Sequence, residues 1–123
     1  MQKKKFGDWG EELAANLLTK RGYKILDKKF SCKLGEIDII AIDPSTGSEP
    51  VGTLVFVEVK SRYSQKYGKP EEAVTPRKLT HIKRTAQYYL RSHRDLPKKL
   101  RIDVVAIEKD ERGNITAKII KVV

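Results

Sequence analysis

GEIDII at residues 35–40 and FVEVKSR at residues 56–62 each place charge inside a run whose β-branched residues otherwise mark a core strand. Side chains alternate along a strand. Glu36, Asp38, Ile40 and Ile42 therefore share one face of the first run, and Leu54, Phe56, Glu58, Lys60 and Arg62 share one face of the second. Between them DPSTGSEPVG, residues 43–52, has the Pro, Ser, Gly and Thr content of a hairpin loop. With the strands antiparallel and Asp38 opposite Glu58, Ile40 falls against Phe56 and Ile42 against Leu54. Apolar then meets apolar, and the acids gather at one end.

Working outward, a helix is expected to begin near Trp9, with Asp8 as its N-cap and Glu11 closing a capping box. Trp9, Leu13 and Leu17 recur every fourth residue, Ala14 and Leu18 widen the stripe, and Gly22 supplies a stop. YKILDKKFS, residues 23–31, reads as an irregular strand interrupted by Lys28 and Lys29. Residues 63–74 are polar and read as a surface connection. Thr75 and Pro76 form an N-cap and first-turn pair. The helix they open carries Leu79, Ile82, Ala86 and Leu90 on one side, with Arg77, Lys78, Lys83, Arg84 and Arg91 around it, and should end before Pro97. IDVVAI at 102–107 reads as a buried strand, and a turn at Arg112, Gly113 and Asn114 leads into a final edge strand. Strands that are apolar on both faces need cover on both sides. The order α-β-β-β-α-β-β therefore predicts an α/β fold, a central mixed sheet with a helix packed on each face.

A chain of 123 residues suits one domain, residues 1–123, and one site. Lys and Arg number 26 against 16 Asp and Glu, a net charge of +10, which is the footprint of a phosphate-rich partner, although charge alone does not single out nucleic acid. Cys32 is the only cysteine and there are two His, so no intrachain disulfide and no typical structural zinc cluster is expected. Any metal should be a hard one held by oxygen. No segment approaches the roughly 18 apolar residues of a membrane span, and the N-terminus lacks an apolar run. The chain reads as a cytoplasmic protein with no membrane partner.

Two carboxylates directly opposite repel unless a cation sits between them. Asp38, Glu58, a backbone carbonyl near Val59 and several waters suit Mg²⁺ or Mn²⁺, which favour octahedral oxygen coordination and phosphate-bearing substrates. Lys60 lies two residues beyond Glu58, about 7 Å along the same face, within reach of a water or phosphate oxygen. This is a layout for hydrolysis, with Lys60 positioning or polarising the nucleophile. The same three side chains also read as a salt-bridged cluster at the wet end of a strand pair, and spacing does not choose between the two. For phosphate contacts the pool is Lys3, Lys4, Lys5, Arg62, Lys66, Lys69, Arg77, Lys78 and Arg84. No helix-turn-helix, zinc finger or RNA-recognition signature is present, so DNA shape rather than a base code is the expected target.

The ordered series GDWGEELAANLLTKRGY, GEIDII, FVEVKSR and GKPEEAVTPRKLTHIKRTAQYYL resembles the bacterial YraN-type family of uncharacterised proteins. That family is in turn similar to archaeal Holliday-junction resolvases of the PD-(D/E)xK nuclease superfamily. The resemblance spans residues 6–107. It implies a restriction-endonuclease-like fold and a Mg²⁺-dependent endonuclease that hydrolyses phosphodiester bonds in branched or junction DNA. Carried over residue by residue, Asp38 matches the first metal-binding acid, Glu58 the second, Lys60 the lysine, and Glu12 the acid of the N-terminal helix, a further ligand or base. Ile37 stands where the superfamily's name motif has proline. The resemblance further implies that Lys83 and Gln87 approach the site or its phosphates, and that two copies act together as a homodimer. Tyr63 and Tyr67 could stack on bases; Tyr88 and Tyr89 read as core or rim, and His81 and His93 are given no chemistry. The alternative reading is a nucleic-acid-binding protein on a nuclease fold with weak or no catalysis.

Overall fold

The computed structural model describes residues 3–45, 52–63, 72 and 74–123, with residues 3–6 as backbone. In chain order the elements are α1 (Lys3–Lys20), β1 (Lys24–Cys32), β2 (Gly35–Asp43), β3 (Thr53–Arg62), α2 (Pro76–Ser92), β4 (Lys99–Lys109) and β5 (Ile115–Lys121). The five strands form one sheet in the order β1-β2-β3-β4-β5. All neighbours are antiparallel except β3 and β4, which run parallel and are joined through α2. This is the mixed α/β sheet that the apolar patterning requires.

The hairpin has the register set by its alternation: Ile40 pairs with Phe56 and Ile42 with Leu54. Alternate residues then feed two cores. On one face Ile39, Ala41, Val55, Val57, Val105 and Ile107 pack beneath Ala14, Ala15 and Leu18 of α1. On the other, Ile40, Leu54, Phe56 and Ile102 meet Ile82, Ala86 and Tyr89 of α2. Each fully buried Leu, Ile or Phe contributes roughly 1.5–3 kcal/mol, so both helices are held by burial rather than by propensity.

Helix ends follow the expected chemistry at three of four places. Thr75 Oγ1 accepts from the N–H of Lys78 at 3.2 Å, with Pro76 in the first turn, and α2 stops at Ser92. Gly22, at φ +87°, closes α1: its N–H reaches Thr19 O at 3.0 Å, and the N–H of Tyr23 reaches Leu18 O at 2.9 Å. The start of α1 differs from expectation. The helix begins at Lys3, so Asp8 lies inside it rather than at its N-cap. Its carboxylate instead takes the Lys29 ammonium of β1 at 2.8 Å, a tertiary partner that leaves no reason for the helix to begin there. β1 runs from Lys24 to Cys32 without the expected break at Lys28 and Lys29, but it is irregular: the register shifts between Ile25 and Asp27, and Lys29 has φ +53°.

α1 also approaches β3 closely at Gly10. A Cβ added there would overlap the hydroxyl of Ser61 and lie 3.0 Å from its Cβ. Ser61 Oγ is buried there with no hydrogen-bond partner among the described residues. Gly10→Ala is expected to cost roughly 1–3 kcal/mol, the usual range for overpacking, measured by urea unfolding. A change within about 0.3 kcal/mol would mean that α1 is not seated on Ser61. No helix among the described residues is long and apolar enough to cross a membrane.

Candidate functional site

The bonded ladder between β2 and β3 ends at Ile39 opposite Val57, and the same register continued brings Asp38 to Glu58. There the side chain takes over from the backbone: Asp38 Oδ2 accepts the N–H of Val59 at 2.8 Å. Val59, expected to lend a carbonyl to a cation, is thus tied to the site through its N–H. Beyond this point Glu36, Asp38 and Glu58 open into a cleft of about 470 Å³, closed on the far side by Thr75, Arg77, Lys78, His81 and Ile82 of α2 and its cap. The cleft has acids on its sheet wall and cations on its helix wall.

Asp38 is under strong electrostatic pressure. Burial, then the charge of Glu58, push its carboxyl up to about 7; the hydrogen bond from Val59 opposes them, and Glu11 and Glu36 add to the rise. Among the described residues no ion pair reaches Asp38. Glu58, whose side chain is 11% exposed, is paired with the ammonium of Lys78.

A pH dependence of stability follows. The folded protein holds the Asp38 proton more tightly than the unfolded chain, whose carboxyl titrates near 3.8. The stabilising contribution is therefore fully present below about pH 4 and lost as pH rises to about 7. Asparagine keeps the acceptor for Val59 without the charge. In metal-free buffer Asp38→Asn should raise stability by about 1–3 kcal/mol at pH 8, after allowance for solvent screening, and by nothing near pH 4. Urea unfolding at the two pH values measures it, and a difference that does not change with pH would contradict the assignment.

Of the neighbouring acids of α1, which packs on the sheet face opposite the α2 wall of the cleft, Glu11 is the one that acts on Asp38. Glu12 is exposed, whereas the Glu11 side chain is 22% exposed, acts on Asp38, and lies 3.6 Å from Lys29 Nζ. Glu11, Ala14, Ala15 and Leu18 follow the i, i+3, i+4, i+7 spacing of one helix face, and that spacing is the sequence signal for Glu11. Lys60 stands exposed near the end of β3.

The cationic pool divides. Arg77 and Lys78 line the cleft, and Arg84, two turns on from Arg77, is exposed on the same side of α2. Arg62 is spent elsewhere: its Nη2 holds Glu108 Oε1 of β4 at 3.1 Å, with both side chains 13% exposed, so it is not a free phosphate ligand. Lys83 and Gln87 do not approach the cleft. They lie about 140° and 180° around α2 from Lys78 at 100° per residue, and line a separate apolar groove of about 260 Å³ with Leu90, Leu100 and Val123. Lys66, Lys69 and Tyr67 fall outside the described residues, as do the side chains of Lys3, Lys4 and Lys5. Tyr63 is exposed, Tyr89 is core and Tyr88 is its half-exposed neighbour. Glu36 and His81, given no role from sequence, both line the cleft; His81 stands three residues after Lys78, on the same helix face.

Comparison with known proteins gives one family. Residues 10–107 match the uncharacterised protein family UPF0102. A UPF0102 protein of Caldicellulosiruptor bescii is 46% identical over 117 residues, covering 94% of this chain and 92% of the relative. Another from Syntrophomonas wolfei is 45% identical over 104 residues, covering 85% and 84%. A third from Clostridium acetobutylicum is 46% identical over 104 residues, covering 85% and 80%.

Proposed function

The chain belongs to the uncharacterised family UPF0102, the YraN-type family that its motifs resemble, and from its cleft we propose a divalent-cation-dependent DNA endonuclease on a restriction-endonuclease-like fold. Its substrate is branched or otherwise structured DNA. One observation carries the reading: Asp38 and Glu58 converge in the cleft where β2 and β3 stop pairing. A divalent cation between them would relieve the repulsion that raises the Asp38 carboxyl.

The donor set suits Mg²⁺ or Mn²⁺. Among the described residues no three His, Cys, Asp or Glu side chains could cage an ion, so two carboxylates and the Val59 carbonyl are what the protein offers. Mg²⁺ is commonly held by one or two carboxylates, with waters and substrate phosphate completing the shell. Once bound, the ion would lower the pKa of a water and stabilise charge on the phosphoryl oxygens. Asp38 and Glu58 hold it. Glu11 sits close enough to influence Asp38 and is the α1 acid available as an outer ligand or proton acceptor. Lys60 positions the nucleophilic water from the exposed end of β3. Arg77, Lys78 and Arg84 carry the phosphate backbone along α2. Two copies would serve the two strands of a junction.

A cation that binds only the folded protein must stabilise it, by about 2.7 kcal/mol at a hundredfold excess over Kd. Mn²⁺ at pH 8 should therefore raise the Tm of the wild type by several degrees, roughly 5–10 °C for a domain of this size, and leave Asp38→Asn unmoved. Equal shifts in the two proteins, or none in either, would remove the metal from the account.

A further inference from the structure

Lys78 stands opposite the carboxylate that a metal would need. Its backbone is fixed, because its N–H is tied to Thr75 Oγ1 at the start of α2. Its side chain is 42% exposed, while that of its partner Glu58 is 11% exposed. The pair is therefore asymmetric. A lysine head on a flexible stem can swing into water at little cost, but a largely buried glutamate beside Asp38 cannot lose its counter-charge cheaply. Arg77 and His81 share this wall of the cleft with Lys78, so an anion drawn there meets the ammonium as it meets them.

We propose that the Lys78–Glu58 ion pair is a latch: Lys78 holds the metal-binding carboxylate, and a phosphodiester backbone entering the cleft draws the ammonium off, so that divalent cation and DNA bind cooperatively. The inference rests on the reading of this cleft as a nuclease site and adds how that site is loaded. DNA alone would pull Lys78 away and leave Glu58 charged, confined and unpaired. The cation alone must displace the ammonium and leave it to solvent. With both present, Glu58 holds the cation, Lys78 holds phosphate, and every charge is matched. That difference is the coupling free energy, and reciprocity requires it to appear in both ligands' affinities.

The test is calorimetric titration of the full chain with Mn²⁺ at pH 7.5, with and without a four-way DNA junction. The same titration on Asp38→Asn gives the background from metal bound by the DNA itself. In the wild type the junction should tighten Mn²⁺ binding roughly tenfold, within the usual range for coupled sites. Lys78→Met should bind Mn²⁺ several-fold more tightly than wild type without DNA, and the junction should then add less than about twofold. Lys78→Gln provides a second variant with a polar stem and should behave in the same way. Lys118→Met, on β5, should match the wild type. Wild-type Mn²⁺ affinity and wild-type coupling in both Lys78 variants, or weaker Mn²⁺ binding in both, would overturn the latch and leave an Asp38-dependent metal site standing. If Asp38→Asn binds Mn²⁺ as the wild type does, the nuclease reading itself fails, and the latch with it.

Discussion

Arg101→Ala is expected to destabilise the fold by about 3–5 kcal/mol, the cost of leaving a buried charge without its partner. Arg101 lies near the start of β4, at the end of the sheet remote from the cleft. Its guanidinium grips Asp103 with two bonds, Nε to Oδ1 at 2.7 Å and Nη2 to Oδ2 at 2.9 Å. Nη2 also reaches Asp43 Oδ2 at 3.0 Å and Tyr23 Oη at 2.7 Å, joining the strand that follows α1 to β2 and β4. Asp103 is 0% exposed, so water cannot replace the lost cation. Burial works against the carboxylate of Asp43, but the Ser45 hydroxyl and N–H and then Arg101 outweigh it and hold that group below its ordinary value. The native state thus favours ionised Asp43, and its stabilisation is present above the unfolded pKa and lost as pH falls through the folded one. The defect in Arg101→Ala should accordingly shrink in acid, where the Asp43 carboxylate, stripped of Arg101, takes up a proton. Urea unfolding at pH 7 and pH 4 measures both statements. Adding Asp103→Val should recover part of the loss at pH 7, because a buried ion pair replaced by apolar groups is often neutral. A loss below about 1 kcal/mol for Arg101→Ala would mean that the network is not desolvated.

The second large effect lies at the opposite end of the sheet. Asp38→Asn should reduce metal-dependent DNA hydrolysis by about a thousandfold or more, since electrostatic stabilisation supplied through a bound ion is worth several kcal/mol and each 1.36 kcal/mol is tenfold in rate. Glu58→Gln should fall in the same range. The neighbouring glutamates of α1 separate the contributions: Glu11→Gln should lower the rate roughly tenfold, and Glu12→Gln should leave it within about twofold of wild type. Single-turnover cleavage in Mn²⁺ reads all four variants. A larger loss in Glu12→Gln than in Glu11→Gln would reverse the assignment drawn from exposure and from the field at Asp38.

The two ends of the sheet differ in how their polar groups are met. At the Arg101 end, Asp43 and Asp103 are paired within the protein, and that end is locked. At the cleft, Glu58 is paired with Lys78, which is anchored across the cleft on α2, while among the described residues no ion pair reaches Asp38. A polar cluster that serves stability alone is expected to resemble the first, with every buried charge matched. The second has the open, imperfectly balanced character of groups kept for a ligand.

The hairpin and its register were legible because a period of two leaves one arrangement that puts Ile40 on Phe56 and Ile42 on Leu54; a slip of one residue would have turned the whole set outward. The cover on both faces followed from strands with no polar side. Asp8 misled because a capping residue is a local cue: the helix begins five residues earlier, at Lys3, and the Asp8 carboxylate pairs with Lys29, 21 residues away. Reading Glu11 as part of that cap also removed it from the candidate acids and left Glu12, one residue and about 100° further around the helix. The contact of Arg62 with Glu108 spans 46 residues and depends on the parallel register of β3 with β4. Nothing in the sequence announces that pairing. The separation of Lys83 and Gln87 from the site was available from helix geometry once Lys78 had been placed in the cleft. The pairing of Lys78 with Glu58 was not, because it depends on how α2 crosses the sheet.

The most direct measurement of the central claim is cleavage of a four-way DNA junction, a flapped duplex, a linear duplex and single-stranded DNA by the full chain in Mn²⁺, with Asp38→Asn and excess EDTA in parallel. Cuts are expected in the branched substrates, with little in the linear duplex and none with Asp38→Asn or EDTA. Intact DNA throughout, or cutting that survives both Asp38→Asn and EDTA, would contradict the claim.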